Sequence, residues 1–206
     1  DGTGAPEELL TRETSRLITE SWSPDGTQLL FISVGGGRGG SDIELLSMDD
    51  ERTVEAFIET DQVEGHPTIS ADGQWVAYHS DVSGRQEVYV QRFPTLGDRQ
   101  QISTAGGRAP LWSPDGRELF YRSIDGRQVL GVPVTMGTTF TAGIPELLFE
   151  GAYLPPAGVV RPYDLTLDGE RFLMAKIGAA GDVGRSPELT VVLNWFEELK
   201  ERVPVP

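Results

Sequence analysis

Leu111-Trp112-Ser113-Pro114-Asp115-Gly116-Arg117-Glu118-Leu119-Phe120-Tyr121-Arg122-Ser123 decides the fold. One short apolar run enters Ser-Pro-Asp-Gly and a second leaves it. Pro114 presets φ for the first corner of a type I turn, Asp115 suits the second, and Gly116 takes the positive φ at the exit. Two apolar runs joined by such a turn read as a β-hairpin. Gly116 therefore carries a conformational demand that Gly37, in a run of glycines, does not. The phrase recurs: Ser21–Ser33 reads SWSPDGTQLLFIS, Thr68–Ser80 reads TISADGQWVAYHS and Asp164–Lys176 reads DLTLDGERFLMAK.

The four Asp-Gly pairs begin at Asp25, Asp72, Asp115 and Asp168, at intervals of 47, 43 and 53 residues. A period of about 40 to 50 residues with several short strands per unit is the mark of propeller blades. After each hairpin a third run follows: Ile43–Met48, Glu87–Phe93, Val129–Val134 and Glu188–Phe196. A more polar fourth run follows in three units, at Val54–Glu59, Arg99–Ser103 and Glu146–Phe149. The spacing predicts an all-β propeller of four four-stranded antiparallel blades. The repeats fall at about 12–60, 61–104, 105–151 and 152–206 of a single domain or propeller segment, 1–206.

The second strands, such as Leu29-Leu30-Phe31-Ile32 and Trp75-Val76-Ala77-Tyr78, are apolar without alternation. A strand with one wet face alternates, so these are expected to be covered on both faces by neighbouring blades. Glu7–Thr11 reads as an outer strand, either closing a ring onto Leu189–Phe196 or belonging to a preceding blade. Glu197–Arg202 reads as a short C-terminal helix, and the chain opens at Asp1 like a piece of something longer.

The chain has 206 residues, with 17 basic against 32 acidic side chains and a net charge of −15. Such a surface repels the phosphate backbone of nucleic acid and an anionic membrane alike. With no cysteine, disulfides, thiolate nucleophiles and Cys-based zinc sites are excluded. No apolar stretch approaches the roughly 18 residues of a membrane span.

Trp112-Ser113-Pro114-Asp115-Gly116 and Trp22-Ser23-Pro24-Asp25-Gly26, each followed by an apolar strand, resemble the WD40-like repeats of TolB-type β-propellers. Glu87-Val88-Tyr89-Val90 fits the third strand of that family. Repeat two has Ala71 for Pro, and repeat four keeps only Asp168-Gly169 of the turn. The ending Leu193-Asn194-Trp195-Phe196-Glu197-Glu198-Leu199-Lys200 resembles the propellers appended to bacterial Ser/Thr kinases. These resemblances imply a longer bacterial parent, a sensor or partner-binding role, and a periplasmic or otherwise extracytoplasmic location.

Catalytic motifs are scarce. The two histidines, His66 and His79, have no zinc spacing between them, and no Gly-x-Ser-x-Gly elbow occurs. His79, at the end of a second strand, is expected to face a loop. Asp49-Asp50-Glu51 and the Asp-Gly pairs read as turn formers rather than calcium loops. Gly35–Asp42 lacks the Gly-Lys-Ser/Thr of a phosphate loop. No metal or cofactor is expected.

Propellers bind at the mouth of the central channel, where the innermost strands begin. Equivalent positions there hold Ile18, Gly65, Arg108 and Arg161, then Thr19, His66, Ala109 and Pro162, then Glu20, Pro67, Pro110 and Tyr163. The chemically varied members, Glu20, His66, Arg108, Arg161 and Tyr163, are the candidate ligand-binding residues. A guanidinium fork recognises carboxylates, whether a ligand's or a neighbour's such as Glu20 or Asp164. The leading reading is a non-catalytic binding or scaffold module with a protein or small-molecule ligand at the mouth, and a possible homodimer through exposed blade faces. The alternatives are the gating propeller of a prolyl-oligopeptidase-like hydrolase, or a small-molecule or sugar lyase using His66 and Tyr163 as its acid–base pair.

Overall fold

The computed structural model describes residues 7–13, 15–35, 40–156, 161–176 and 189–192. The helix expected at Glu197–Arg202, residues 36–39 of the glycine-rich loop and the kinase-like ending lie outside the described residues. Four antiparallel sheets account for every strand, and the described residues contain no helix. The first sheet is β1 (Arg16–Trp22), β2 (Gln28–Val34), β3 (Ser41–Ser47) and β4 (Val54–Ile58), in that spatial order. The second is β5 (Glu64–Ile69), β6 (Trp75–Ser80), β7 (Glu87–Arg92) and β8 (Gln100–Gln101). The third holds β9 (Arg108–Trp112), β10 (Glu118–Arg122), β11 (Gln128–Thr135), β12 (Thr141–Ala142) and β13 (Glu146–Glu150). The fourth holds β14 (Tyr163–Leu165), β15 (Phe172–Ala175) and β16 (Leu189–Val192).

The first hairpin of each blade is closed by its Asp-Gly turn. Gly26, Gly73, Gly116 and Gly169 take φ of 70°, 68°, 70° and 76°. In the third blade the Gly116 amide donates to the Ser113 carbonyl at 3.0 Å, and the Ser113 hydroxyl donates to Asp115 Oδ1 at 2.7 Å. The Glu118 amide then donates to that same Ser113 hydroxyl at 2.9 Å, which fixes the hairpin register at its first pair. The Ser113 hydroxyl, together with the Arg117 amide donating at 3.1 Å, holds the Asp115 carboxyl below its ordinary value. The motif also recurs where it was not anticipated: Ser123-Ile124-Asp125-Gly126 joins β10 to β11 with the same bonds and a Gly126 φ of 71°.

The second strands are buried on both faces in three blades. Along β6, Val76 and Tyr78 pack towards the first sheet, with Leu30 and Ile43, while Trp75 and Ala77 pack towards the third, with Trp112 and Leu119. Successive side chains point to opposite faces, so an apolar strand without alternation serves two interfaces at once. Each large side chain so buried contributes about 1.5–3 kcal/mol. Polar ties run across the same interfaces: the Ile69 amide donates to Ser21 Oγ at 3.0 Å, and the Trp112 indole donates to the Thr68 carbonyl at 3.0 Å.

Three features differ from the sequence reading. Glu7–Thr11 forms no strand; Leu9 and Leu10 lie against Leu29, Phe31 and Leu46 on the outer face of the first sheet. Arg12 holds that segment down with a bidentate grip on Glu44, at 2.5 and 2.6 Å. Two adjacent leucines both seek the apolar sheet face, which a paired edge strand would have denied to one of them. In the third blade the outer edge of β11 is long enough to pair with β12 at one end and β13 at the other. In the fourth blade Leu173 is 39% exposed, so β15 is covered on one face only among the described residues.

Gly116→Val is expected to destabilise the protein by about 1–2 kcal/mol, because a side chain at positive φ is strained and its Cβ would stand 2.6 Å from Met136 Cε. Gly137→Val, where nothing lies within 4 Å of the added Cβ, is expected to be near neutral. Thermal melts of the two variants check this, and equal melting temperatures would refute the turn assignment.

Candidate binding site at the channel mouth

The innermost strands break register at one place. β1 slips between Thr19 and Ser21 against β2, β5 slips between Gly65 and Thr68 against β6, and β9 slips opposite the Phe120–Arg122 step of β10. His66 and Ala109, at equivalent positions, have φ of 48° and 51°. Pro67 and Pro110 follow them, and a proline in a strand belongs at an edge or a bulge. The bulges turn peptide carbonyls and side chains out of the ladder and towards the axis, as bulges beside functional sites do.

Arg161, entering the fourth blade, takes up what the bulges offer. Its Nη2 donates to Glu20 Oε2 at 3.3 Å, to the His66 carbonyl at 3.2 Å and to the Pro67 carbonyl at 3.4 Å. One guanidinium thus ties blade four to blades one and two. The Glu20 side chain is only 5% exposed. Burial pushes its carboxyl up to about 7, against the opposing pull of Arg161. Tyr163 is buried and donates its hydroxyl to the Ala109 carbonyl at 2.6 Å. That burial raises its phenol far above the ordinary value.

His66 and His79 are both fully enclosed, with ring centroids 5.0 Å apart. His79 does not face a loop. Its ring occupies the space over Gly65, where an added Cβ would stand 2.6 Å from Cε1. Burial first, then the charges of His66, Arg108 and Arg161, hold the His79 imidazole well below its ordinary value. It is therefore neutral at pH 7.

Arg108 is placed apart from Arg161. Its Nε donates to Gln86 Oε1 and its Nη1 donates to the Pro156 carbonyl at 2.8 Å. Among the described residues it makes no salt bridge. It lines a cleft of about 240 Å³ between the first three blades, together with Ser41, Glu64, Gly65, His79 and Gln86. Of the five residues expected at the mouth, Glu20, His66 and Arg161 meet directly and Tyr163 braces the neighbouring bulge, while Arg108 opens onto the cleft. Sequence reading missed Gln86 and Glu64. The signal available was positional: the residue before a third strand lies at the same end as the start of a first strand.

Bladed sheets joined by Asp-Gly hairpins, with polar groups gathered at the inner strand starts, make up the blades of a β-propeller whose fold resembles that of TolB proteins. No family model matches the chain. A TolB homolog of Chlorobium luteolum is 31% identical over 115 residues, which is 55% of this chain and 25% of that protein. The solved TolB of Acinetobacter baumannii matches with a TM-score of 0.66 at 17% identity, covering 90% of this chain and 43% of that one. A puromycin-hydrolyzing peptidase of Mycobacterium tuberculosis matches with a TM-score of 0.62 at 20% identity, covering 86% of this chain and 30% of that one. The chain thus spans a quarter of the curated relative and less than half of either structure. The structural likeness is one of fold. Among the described residues no helix is long and apolar enough to cross a membrane.

Because the Glu20 carboxyl is raised in the folded chain, the stability it contributes is complete below its unfolded value near 4.5 and is lost as pH rises through about 7. Relative to Glu20→Gln, the wild type is expected to lose at most about 3 kcal/mol across that window. Denaturant melts of both proteins at several pH values check this. A constant difference between them would show that Glu20 does not titrate there.

Proposed function

We propose that this chain is a non-catalytic binding module, part of a larger bacterial propeller protein, presenting its channel mouth to a protein partner outside the cytoplasm. The observation that carries this reading is the Arg161 tie. The charged groups of the mouth hold blades one, two and four in fixed relation, as a preorganised docking surface requires. The groups an acid–base mechanism would use are committed elsewhere. The Tyr163 hydroxyl is bound to the Ala109 carbonyl, and the His66 ring is fully enclosed. Around the same end, Val82, Ile124 and Leu154 are exposed at 37%, 39% and 47%, an apolar rim of the kind partners cover. The likeness to TolB structures and the extracytoplasmic setting implied by resemblance support the same reading, and the kinase-like ending makes a sensor its form.

A propeller that accompanies a hydrolytic domain is the second reading, favoured by the fold likeness to the peptidase. Two measurements separate the readings. A partner isolated on the immobilised chain, then re-measured as a purified pair by calorimetry, is expected to bind at least tenfold more weakly to a variant carrying Val82→Asp, Ile124→Asp and Leu154→Asp. Loss of binding in Trp22→Asp, at the opposite end of the first blade, with no change in the triple variant would overturn the mouth assignment. Ester or peptide turnover by the chain that disappears in His66→Ala would overturn the non-catalytic assignment.

The face of the fourth blade that is uncovered among the described residues, where Leu173, Ala175 and Tyr163 border a cleft of about 360 Å³, is proposed to contact a second copy of the chain. Light scattering is expected to show a dimer at micromolar concentration. A monomer mass unchanged on tenfold concentration would refute it.

A further inference from the structure

The Arg108 cleft has a chemistry that the Arg161 tie lacks. Two of its lining side chains carry hydrogen-bond donors that make no bond among the described residues. The Arg108 Nη2 and the Gln86 Nε2 make no bond among the described residues, although Arg108 Nε and Gln86 Oε1 are locked to each other. A third lining side chain is His79, 3% exposed, whose Nδ1 is buried without a partner. A neutral imidazole carries one N–H, on one of its two ring nitrogens. Glu64 also lines the cleft; its Oε1 accepts from the hydroxyls of Thr60, at 2.7 Å, and Ser80, at 3.0 Å, while its Oε2 is buried without a partner, and burial raises the carboxyl above its ordinary value, towards the uncharged form. The Ser41 hydroxyl is likewise engaged, donating to the Glu64 carbonyl at 2.6 Å. Beside the apolar Val34 and Val63, the cleft is lined by a half-buried guanidinium, a primary amide and an imidazole.

Half-burying a guanidinium with only neutral partners is costly unless an anion meets it. In this chain, with a net charge of −15, carboxylates are plentiful, yet none pairs with Arg108 among the described residues. The guanidinium is held by its Nε on Gln86, which orients the planar fork instead of leaving it to sweep through solvent. A planar fork with an amide N–H beside it matches the two oxygens of a carboxylate. The volume of about 240 Å³ is below the roughly 300–1,000 Å³ of pockets for drug-sized ligands, so the group admitted is small. Gly65 forms the floor, and any side chain there would drive the His79 ring out of place.

We propose that Arg108, Gln86 and His79 form a carboxylate-recognition site in the cleft between the first three blades. Arg108 Nη2 and Gln86 Nε2 each donate to one carboxylate oxygen, and the His79 imidazole closes the third side. The carboxylate is that of a small organic acid or the terminus of a partner chain. The proposal deepens the binding-module reading by naming a ligand group, and it stands on its own measurement.

The experiment uses acetate, a capped tripeptide ending in a free carboxylate, and the same tripeptide ending in an amide. Binding is read as shifts of the Gln86 side-chain amide and Arg108 Nε resonances at constant ionic strength. Saturable shifts with acetate and with the acid tripeptide are expected, weakened at least tenfold in Arg108→Lys, which keeps the charge without the fork, and in Gln86→Ala. An acid tripeptide that binds tenfold tighter than acetate assigns the site to a chain terminus; equal binding assigns it to a small acid. Either result supports the site. Equal binding of the amide tripeptide, identical shifts with chloride, or no shift with any probe would overturn it. Gly65→Ala, which displaces His79 without touching a charge, gives a further reading should Arg108→Lys fail to fold: unaltered acetate binding there removes His79 from the site. Loss of partner binding in the apolar-rim variant with acetate binding intact, or the reverse, separates failure of one reading from failure of the other.

Discussion

A β-sheet that is apolar on both faces cannot stand alone in water. That constraint governs this chain. β6 and β10 are enclosed because each sends alternate side chains into two neighbouring blades, while β2 sends them into the second blade and against the segment before β1. The Ser-x-Asp-Gly turns set where each of these strands begins, and the interfaces then set how the blades stack. Even the chain before the first strand obeys the rule. Leu9 and Leu10 cover the face of blade one that has no preceding blade among the described residues.

Most of this architecture was legible because it rests on local chemistry repeated in register. Ser113, Asp115 and Gly116 specify a turn through their own side chains and backbone. The unalternating run from Trp75 to Tyr78 specifies double burial. What escaped depends on non-local choices. Whether Glu7–Thr11 pairs as a strand or lies flat on a sheet is decided by the distant Glu44 and Leu46, and the sharing of one strand edge by Thr141–Ala142 and Glu146–Glu150 by strand length.

The site divides in the same way. Alignment of the repeats placed Glu20, His66, Arg108, Arg161 and Tyr163 at one end of the barrel of inner strands, and three of them meet there. Their roles were not readable from position. Two arginines at equivalent places have opposite environments. Arg161 is half-buried against Glu20 and two carbonyls, and Arg108 is held by an amide beside a cleft. Pro67 and Pro110 were the overlooked clue, since prolines inside an inner strand announce the bulges that free those carbonyls.

Arrays of repeats ordinarily unfold piecemeal, because each unit touches only its neighbours and either end is free to fray. The contact between Arg161 and Glu20 joins residues 141 positions apart and skips over the intervening blades. It changes the array from an open stack into something nearer a loop held by a clasp. Peeling away the fourth blade would strand a buried carboxyl in the first, so loss at one end is felt at the other. Cooperativity is thereby extended beyond nearest neighbours by a single side chain, and the mouth of the channel is where that long-range coupling resides.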